Sequence, residues 1–392
     1  MQAQPDSAVV IAGGGLVGAS LALALARQGR PVTLVEAQPP PQGQPAWDER
    51  CIALNATSQE IFARLGVWER LQAQASPILS THISERGRFG VARFTHDEAG
   101  LPALGYNLPL RAIGQALWAL LAETPARVIC PARVRQLAGT AHAQQVGLDS
   151  GETLPAALLV AADGAQSSVR GLLGLDASTD DYAQQAIVTA VRTRRSPAGC
   201  AYERFTPDGP IALLPKPGGA CSLIWTVPEA QAPELMALDD GEFLAAAQAA
   251  FGGRLGAFTA LGRRSAYPLS RVMSRQLSAS RTLFCGNAAQ SLHPVAAQGF
   301  NLGLRDVATL ADLLADATDP GAPDLLAAYC ERRERDRVRV ADFTDGLVRL
   351  FSNRIPGLAS LRHLGLLALD LTPPFKRAVL WQNLGRSGWQ AA

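Results

Sequence analysis

The stretch Val9-Val10-Ile11-Ala12-Gly13-Gly14-Gly15-Leu16-Val17-Gly18 reads as a buried strand, a tight turn and the start of a helix. The apolar run before Gly13 has strand length, and an apolar helical pattern follows from Leu16 to Arg27, closed by Gln28-Gly29-Arg30. Val32-Thr33-Leu34-Val35 is a second strand, ending at Glu36. Strand, turn, helix and strand within about 30 residues make a βαβ unit. Its glycines fit G-x-G-x-x-G. Gly13 permits the turn, Gly15 lets the backbone approach a pyrophosphate, and Gly18 lets helix and strand pack closely. Leu16 and Val17 stand in the first helical turn, whose free N–H groups and partial positive charge favour that pyrophosphate. Glu36 lies 21 residues beyond Gly15, where an acceptor meets the adenosine ribose hydroxyls. The unit predicts dinucleotide binding without separating NAD from FAD.

The rest of the composition narrows the class. The chain has 392 residues, 48% hydrophobic and 18% charged, enough to bury a sizeable core, which excludes a disordered chain. Lys+Arg 36 against Asp+Glu 34 leaves +2, so no basic excess points to nucleic acid. Cys51, Cys130, Cys200, Cys221, Cys285 and Cys330 form no C-x-x-C pair, and none stands near a His at metal-ligand spacing. They read as buried, reduced thiols of a cytosolic protein, with no metal. Ser7 to Ala26 carries no charge and has about the length of a membrane span. It follows Asp6 rather than a basic region and is interrupted by glycines, so it reads as strand and helix and not as a span or signal.

Further along, 39–45 is a proline-rich loop and Ser58 an N-cap for a helix to Leu65. Residues 77–104 are strand-like, 114–123 helical, and 127–159 short strands. Between 178 and 275, strands at 186–191, 211–214 and 221–227 surround one helix at 240–251, which predicts a mostly antiparallel sheet. A strand at 281–285, a glycine-rich turn and a helix at 302–315 follow, and the last 60 or so residues are helical. The division expected is a discontinuous cofactor domain (1–76, 105–177, 278–330), a substrate domain (77–104, 178–277) and a C-terminal helical segment (331–392). The run Glu331 to Arg337 reads as a solvated helix face with pairs such as Glu331/Arg335. Leu347, Leu350, Phe351, Leu361, Leu364, Leu366, Leu367 and Leu369 among Arg349, Arg354, Arg362 and Lys376 read as core cover, with contact to a membrane surface or partner as the alternative.

Two later motifs separate FAD from NAD. Ala161-Ala162-Asp163-Gly164-Ala165 follows an apolar strand, and Cys285-Gly286-Asn287-Ala288-Ala289-Gln290 leads to His293-Pro294, to Gln298-Gly299-Phe300-Asn301-Leu302-Gly303 and to Asp306. With the first fingerprint, these resemble the three hallmarks of the aromatic-ring hydroxylases, the single-component flavoprotein monooxygenases. Asp48-Glu49-Arg50-Cys51, Tyr202-Glu203-Arg204-Phe205-Thr206 with Gly209-Pro210, and Arg264-Ser265-Ala266-Tyr267-Pro268-Leu269 look like the ubiquinone-biosynthesis branch. Gly286-Asn287-Ala288-Ala289-Gln290 is most similar to its 2-polyprenyl-6-methoxyphenol hydroxylases. The resemblance covers nearly the whole chain.

The resemblance implies an α/β fold: a glutathione-reductase-like FAD-binding Rossmann domain, an inserted mostly antiparallel substrate domain and a C-terminal helical segment. It implies that Gly13, Gly15, Gly18 and Glu36 hold the ADP half of FAD, with Leu16 and Val17 beside them. Arg50 would approach the flavin side. Asp163 and Gly164 would lie near the pyrophosphate and serve NAD(P)H, a transient co-substrate. Gly286 and Asn287 would hold the ribityl chain and second phosphate. Pro294 through Gly303, with Gln298, Gly299 and Asn301, would wrap the isoalloxazine ring. The implied reaction hydroxylates a polyprenylated phenol, 2-polyprenyl-6-methoxyphenol to the 1,4-benzoquinol, with NAD(P)H and O2 through a flavin C4a-hydroperoxide. The implied location is cytoplasmic or membrane-peripheral, with a membrane or biosynthetic-complex contact through the C-terminal segment. The resemblance assigns no catalytic residue, and His293 reads as a hydrogen-bonding group behind the flavin. Asn287 stands where the wider family has Asp, and Ala297 where it has Gly. The competing readings are another ring hydroxylase of the same pathway, a prenyl reductase or halogenase, and a non-catalytic lipid-binding assembly subunit. The W-x-W pair typical of flavin halogenases is absent.

Overall fold

In the computed structural model, which describes residues 8–39, 50–140, 142–351, 365 and 369–386, Val9–Ala12 is a strand with all four side chains at most 3% exposed. Such a strand needs neighbours on both sides and cover on both faces. It pairs in parallel with Val32–Val35 on one side and Leu158–Ala161 on the other. Arg127–Ile129 and Thr282–Phe284 extend the parallel sheet outward, and Ser278–Ala279 adds one antiparallel edge. Helices Leu16–Arg27, Leu110–Ala122 and Gln298–Leu314 pack on one face through Leu21, Leu25, Ile113, Leu117, Leu304 and Leu310. A three-stranded antiparallel meander, Val134–Gly139, Gln144–Leu148 and Thr153–Ala156, covers the other face. Burying each such Leu or Val contributes roughly 1.5–3 kcal/mol.

A second, nine-stranded sheet stands beside the first. Its centre is the long strand Ala177–Thr193, paired antiparallel with Ala220–Pro228 and Ser265–Ser274. Gly209–Pro215, Cys200–Thr206, Ser80–Glu85 and Val91–Thr95 continue it, the contact between Cys200–Thr206 and Ser80–Glu85 being parallel. Helix Asp240–Phe251, opened by a capping box at Asp239, covers the outer face with Phe243, Ala247 and Phe251. A small third sheet, Cys51–Asn55, Gly105–Pro109 and Ser76–Ile78, lies between the lobes.

Several expectations are corrected here. The helix expected from Ser58 runs over Ala56–Arg64, and its cap is Asn55, whose side chain accepts from the Ser58 N–H. The helix expected at 302 begins at Gln298. Glycines 299 and 303 obscured that turn, and Gly303 is there because a Cβ would sit 2.7 Å from Val17 Cγ2. The run Glu331 to Arg337 is solvated on one face only: Glu331, Arg332, Glu334 and Arg335 are exposed, whereas Arg333, Asp336 and Arg337 are 3–5% exposed. They lie in helix Pro323–Phe351, turned toward Gln298–Leu314. All six cysteines are free, but only Cys221 and Cys285 are buried. The proline-rich loop, Asp48, Glu49, and the apolar positions 361, 364, 366 and 367 fall outside the described residues, as do Arg354 and Arg362. Among the described residues no helix is long and apolar enough to cross a membrane, and no cluster of His, Cys, Asp or Glu fits a metal.

Candidate active site

The two lobes enclose one cavity of about 1210 Å³. That exceeds the roughly 300–1,000 Å³ of a pocket for a single drug-sized ligand. Gly13, Gly15, Leu16, Val17 and Glu36 line one end, joined by Asp163, Gly164 and Asn287 from the two later turns. Pro294, Gly299 and Asn301 line its waist. The three glycine-bearing turns therefore converge, although they are far apart in sequence.

Each element has a local cause. A Cβ at Gly18 would meet the Gly13 carbonyl oxygen at 1.9 Å, so only glycine allows the helix this close to the turn. A Cβ at Gly15 would meet no protein atom within 4 Å, because that position faces the cavity. Glu36 accepts from the Gly14 N–H and, at 2.7 Å, from the Gln38 N–H, which fixes its carboxylate at the cavity rim. Asp163 Oδ2 accepts from Ser168 Oγ and the Val169 N–H, while buried Oδ1 has no partner and borders the same space. An open cradle at a helix N-terminus, a rim carboxylate and an orphaned polar atom fit the extended dinucleotide that the residues imply.

Gly18, Gly286 and Gln298 stand behind the cavity wall rather than in it. The Gly286 N–H donates to Asp306 Oδ2 at 3.0 Å, and Gln298 is buried with Oε1 unpartnered. Arg50 does not line the cavity; it is exposed, with its guanidinium 4.9 Å from the Tyr267 ring centre on the second sheet. Asn301 ties the waist together. Its Oδ1 accepts from the Asn55 N–H, and its Nδ2 donates to Ala53 O and Ala297 O. Ala296 and Ala297 both have left-handed backbones, φ 56° and 51°, which explains a glycine preference at 297. Buried His293 accepts the Val295 N–H at Nδ1, and burial lowers its pKa to about 4, so the ring is neutral.

Two features escaped the sequence reading. Asp306 accepts from Gly286 N–H, Gln290 Nε2 and Arg333 Nε, while Arg305 and Arg333 both bond Asp336. This buried network of two arginines and two aspartates clamps the late cofactor turn to helix Pro323–Phe351. Burial alone would raise the Asp336 pKa, but Arg305 and Arg333 hold it below the ordinary carboxylate range. The signal was the spacing of residues 333, 336, 337 and 340, one helix face that ends in buried Val340. The second is Glu203, on the strand Cys200–Thr206 between Ala201 and Phe205. All three line the cavity, and burial raises the Glu203 pKa to about 7. An acid between two apolar residues at period two was the sign.

The far end of the cavity is apolar, with Phe94, Phe205, Leu214 and Ile224 from the second sheet and Leu347 and Leu380 from the C-terminal helices. This arrangement can hold an extended cofactor at one end and a largely apolar molecule at the other, in contact and screened from water.

The comparisons agree with this geometry. The family described as FAD binding domain matches residues 6–344. A protein of Rhodospirillum rubrum named Ubiquinone hydroxylase UbiL is 39% identical over 383 residues, covering 96% of this chain and 89% of its own. The 3-demethoxyubiquinol 3-hydroxylase of Escherichia coli is 35% identical over 395 residues, covering 98% and 100%. Among solved structures, p-nitrophenol 4-monooxygenase PnpA from Pseudomonas putida superposes with a TM-score of 0.79 at 17% identity, over 96% of this chain and 97% of that one. That likeness shows the shared fold. The fingerprint, the cavity and these whole-length matches together make the chain a member of the FAD-dependent monooxygenases, in the family of the ubiquinone-biosynthesis ring hydroxylases.

Proposed function

We propose that the chain hydroxylates the ring of a polyprenylated phenol, converting 2-polyprenyl-6-methoxyphenol to the 1,4-benzoquinol with NAD(P)H and O2. The observation that carries this reading is the single cavity that runs from the glycine fingerprint to an apolar end. Each CH2 of a prenyl tail buried there contributes about 0.8 kcal/mol. Bound FAD supplies hydride acceptance from NAD(P)H and activation of O2. The chain's own residues do the rest. Gly13, Gly15 and the first turn of helix Leu16–Arg27 bind the diphosphate, and Asn287, Gly164 and the unpartnered Asp163 Oδ1 offer polar contacts beside it. Pro294 to Gly299 present backbone groups to the ring at the waist. The apolar far wall orients the phenol and excludes water, which suppresses wasteful release of H2O2.

A second reading is supported by the Escherichia coli relative, whose name gives the 3 position of a demethoxyubiquinol. Synthetic short-chain 2-prenyl-6-methoxyphenol and demethoxyquinol, each incubated with FAD-loaded protein, NAD(P)H and O2, distinguish the two by the mass and ring position of the product. If neither substrate stimulates NAD(P)H oxidation or gains oxygen, the function is wrong. The same reading extends to a lipid surface at the C-terminal end. Exposed Leu371 (71%) and Phe375 (56%) stand beside Arg377, and Phe375 also lines the cavity. Sedimentation with anionic vesicles, lost in L371S/F375S, tests that extension; unchanged sedimentation of the double variant refutes it.

A further inference from the structure

Among the described residues, the substrate half of the cavity contains one carboxyl group, that of Glu203. On the strand Cys200–Thr206 the side chains alternate. Tyr202 turns to the far face, its ring 5.8 Å from Phe251 and 5.5 Å from His82, whereas Ala201, Glu203 and Phe205 face the cavity. The register sets Ile83 and Ala212 on either side of Glu203, both uncharged and both lining the same space. From the opposite lobe the turn at the cavity waist brings the Ala296 backbone N–H toward the carboxyl, where it offsets part of the effect of burial. The described ion pairs include none to Glu203. The other charged liners, Glu36, Arg133, Arg135 and Asp163, belong to the dinucleotide end. Of the remaining titratable liners, His293 is neutral, Cys51 lies on the small third sheet, and the Tyr202 ring points away. An unpaired acid in an apolar wall is costly, and a Leu or Gln would fill the position with less penalty.

We propose that Glu203 accepts the hydroxyl proton of the phenol as its ring is oxygenated, and returns that proton during rearomatisation. The inference rests on the phenol reading above. In the first step a ring π pair forms the new C–O bond to the electrophilic oxygen as the O–O bond of the activated dioxygen breaks, its electron pair leaving with the second oxygen. The O–H pair becomes the carbonyl π bond of a dienone, and the proton moves to a Glu203 Oε. In the second step the ring carbon that bears the new oxygen loses its hydrogen as a proton, which the second oxygen takes up on its way to water; the ring becomes aromatic, and Glu203 gives its proton back to the carbonyl oxygen. Over the cycle the carboxyl is unchanged. One atom of O2 enters the ring and the other leaves as water, the two electrons coming from NAD(P)H. A carboxyl with its pKa near 7 is suited to both directions of transfer at neutral pH. The register of the strand Cys200–Thr206 sets it in the cavity wall across from the 294–297 turn, where the phenol ring meets the cofactor end.

The test compares wild type with Glu203→Gln, which keeps the size and polarity of the side chain but takes no proton. With short-chain 2-prenyl-6-methoxyphenol, wild-type kcat/KM is expected to rise with pH through about 7. In E203Q it falls at least about 100-fold and the acid limb disappears. An E203Q enzyme with the wild-type limb and yield of quinol overturns the proposal and leaves Glu203 as a wall residue only. An independent readout on wild type is the infrared C=O band of a protonated carboxylic acid. It should fade as pH rises through about 7 and shift when the phenol, but not its methyl ether, is added. A band indifferent to the phenol also overturns the proposal. Failure of wild type to bind or hydroxylate any phenol overturns the function itself, a different result from an unaffected E203Q.

Discussion

Gly15 and Gly18 lie on the same turn, yet the structure separates what each does. At Gly15 the backbone is extended, φ −61° and ψ −178°, a conformation open to any residue, and an added Cβ meets nothing within 4 Å. For Gly15→Ala, lower chain entropy in the unfolded state stabilises by about 0.4–1 kcal/mol. Alanine at a helix N-cap costs a similar amount relative to glycine, roughly 0.5–1 kcal/mol. The net change in the flavin-free protein is therefore near zero. The new methyl group, however, occupies space over the helix N-terminus where a phosphate must come close. Loss of about two charge-assisted hydrogen bonds, each worth roughly 1.5–3 kcal/mol, weakens FAD binding by at least about 100-fold. Gly18→Ala behaves in the opposite sense. Its Cβ would stand 1.9 Å from the Gly13 oxygen, closer than real Cβ atoms come, so helix and turn must separate by more than about 1 Å. Overpacking of that kind costs about 1–3 kcal/mol. Urea unfolding of the flavin-free variants and titration by quenching of flavin fluorescence measure the two quantities. If G15A binds FAD as tightly as wild type, or G18A is as stable as wild type, the assigned roles are wrong.

Asp306→Ala removes the partner of buried Arg333 and the acceptor for the Gly286 N–H, and should cost about 3–5 kcal/mol in denaturant unfolding; a loss below 1 kcal/mol would mean that the cluster holds nothing in place. Ala297→Gly relieves a left-handed alanine, roughly 1–2 kcal/mol, against a glycine entropy cost of about 0.4–1, so Tm should rise modestly. A fall in Tm would show that the strain has been misplaced. Glu203 keeps its proton to about pH 7 when folded but only to about 4.5 when unfolded. Its contribution is therefore full below about 4.5 and lost as pH rises to about 7, by up to roughly 3 kcal/mol. In the flavin-free protein E203Q should flatten that decline; equal slopes for both proteins would contradict the burial of this carboxyl.

The parallel sheet and its glycine-rich turn were readable because their signals are local: apolar runs of strand length, glycines at fixed offsets and an acid at the end of Val32–Val35. The helix at 240–251 was readable for the same reason, with Asp239 and Glu242 announcing its start. The misreadings came from non-local packing. Charge alone did not tell which face of Glu331 to Arg337 turns inward, because that depends on Arg305 and Asp306 in another helix. Parallel pairing of Ser80–Glu85 with Cys200–Thr206 joins segments more than a hundred residues apart, and nothing near either strand encodes it. Arg50 was assigned by its motif, and its nearness to Tyr267, on a distant strand, has no local sign. Glu203 was quoted as part of a motif with no role, since its significance lies in the apolar company it keeps across two lobes.

Among the described residues nothing partitions the cavity between its polar and oily ends. Each occupant consequently supplies part of the other's walls, and the two affinities must be thermodynamically reciprocal: whatever factor a seated phenol adds to retention of the flavin, the flavin adds to retention of the phenol. A flavin-free chain should therefore be a poor scavenger of prenyl lipid, which keeps the greasy half from filling before the enzyme is able to turn over.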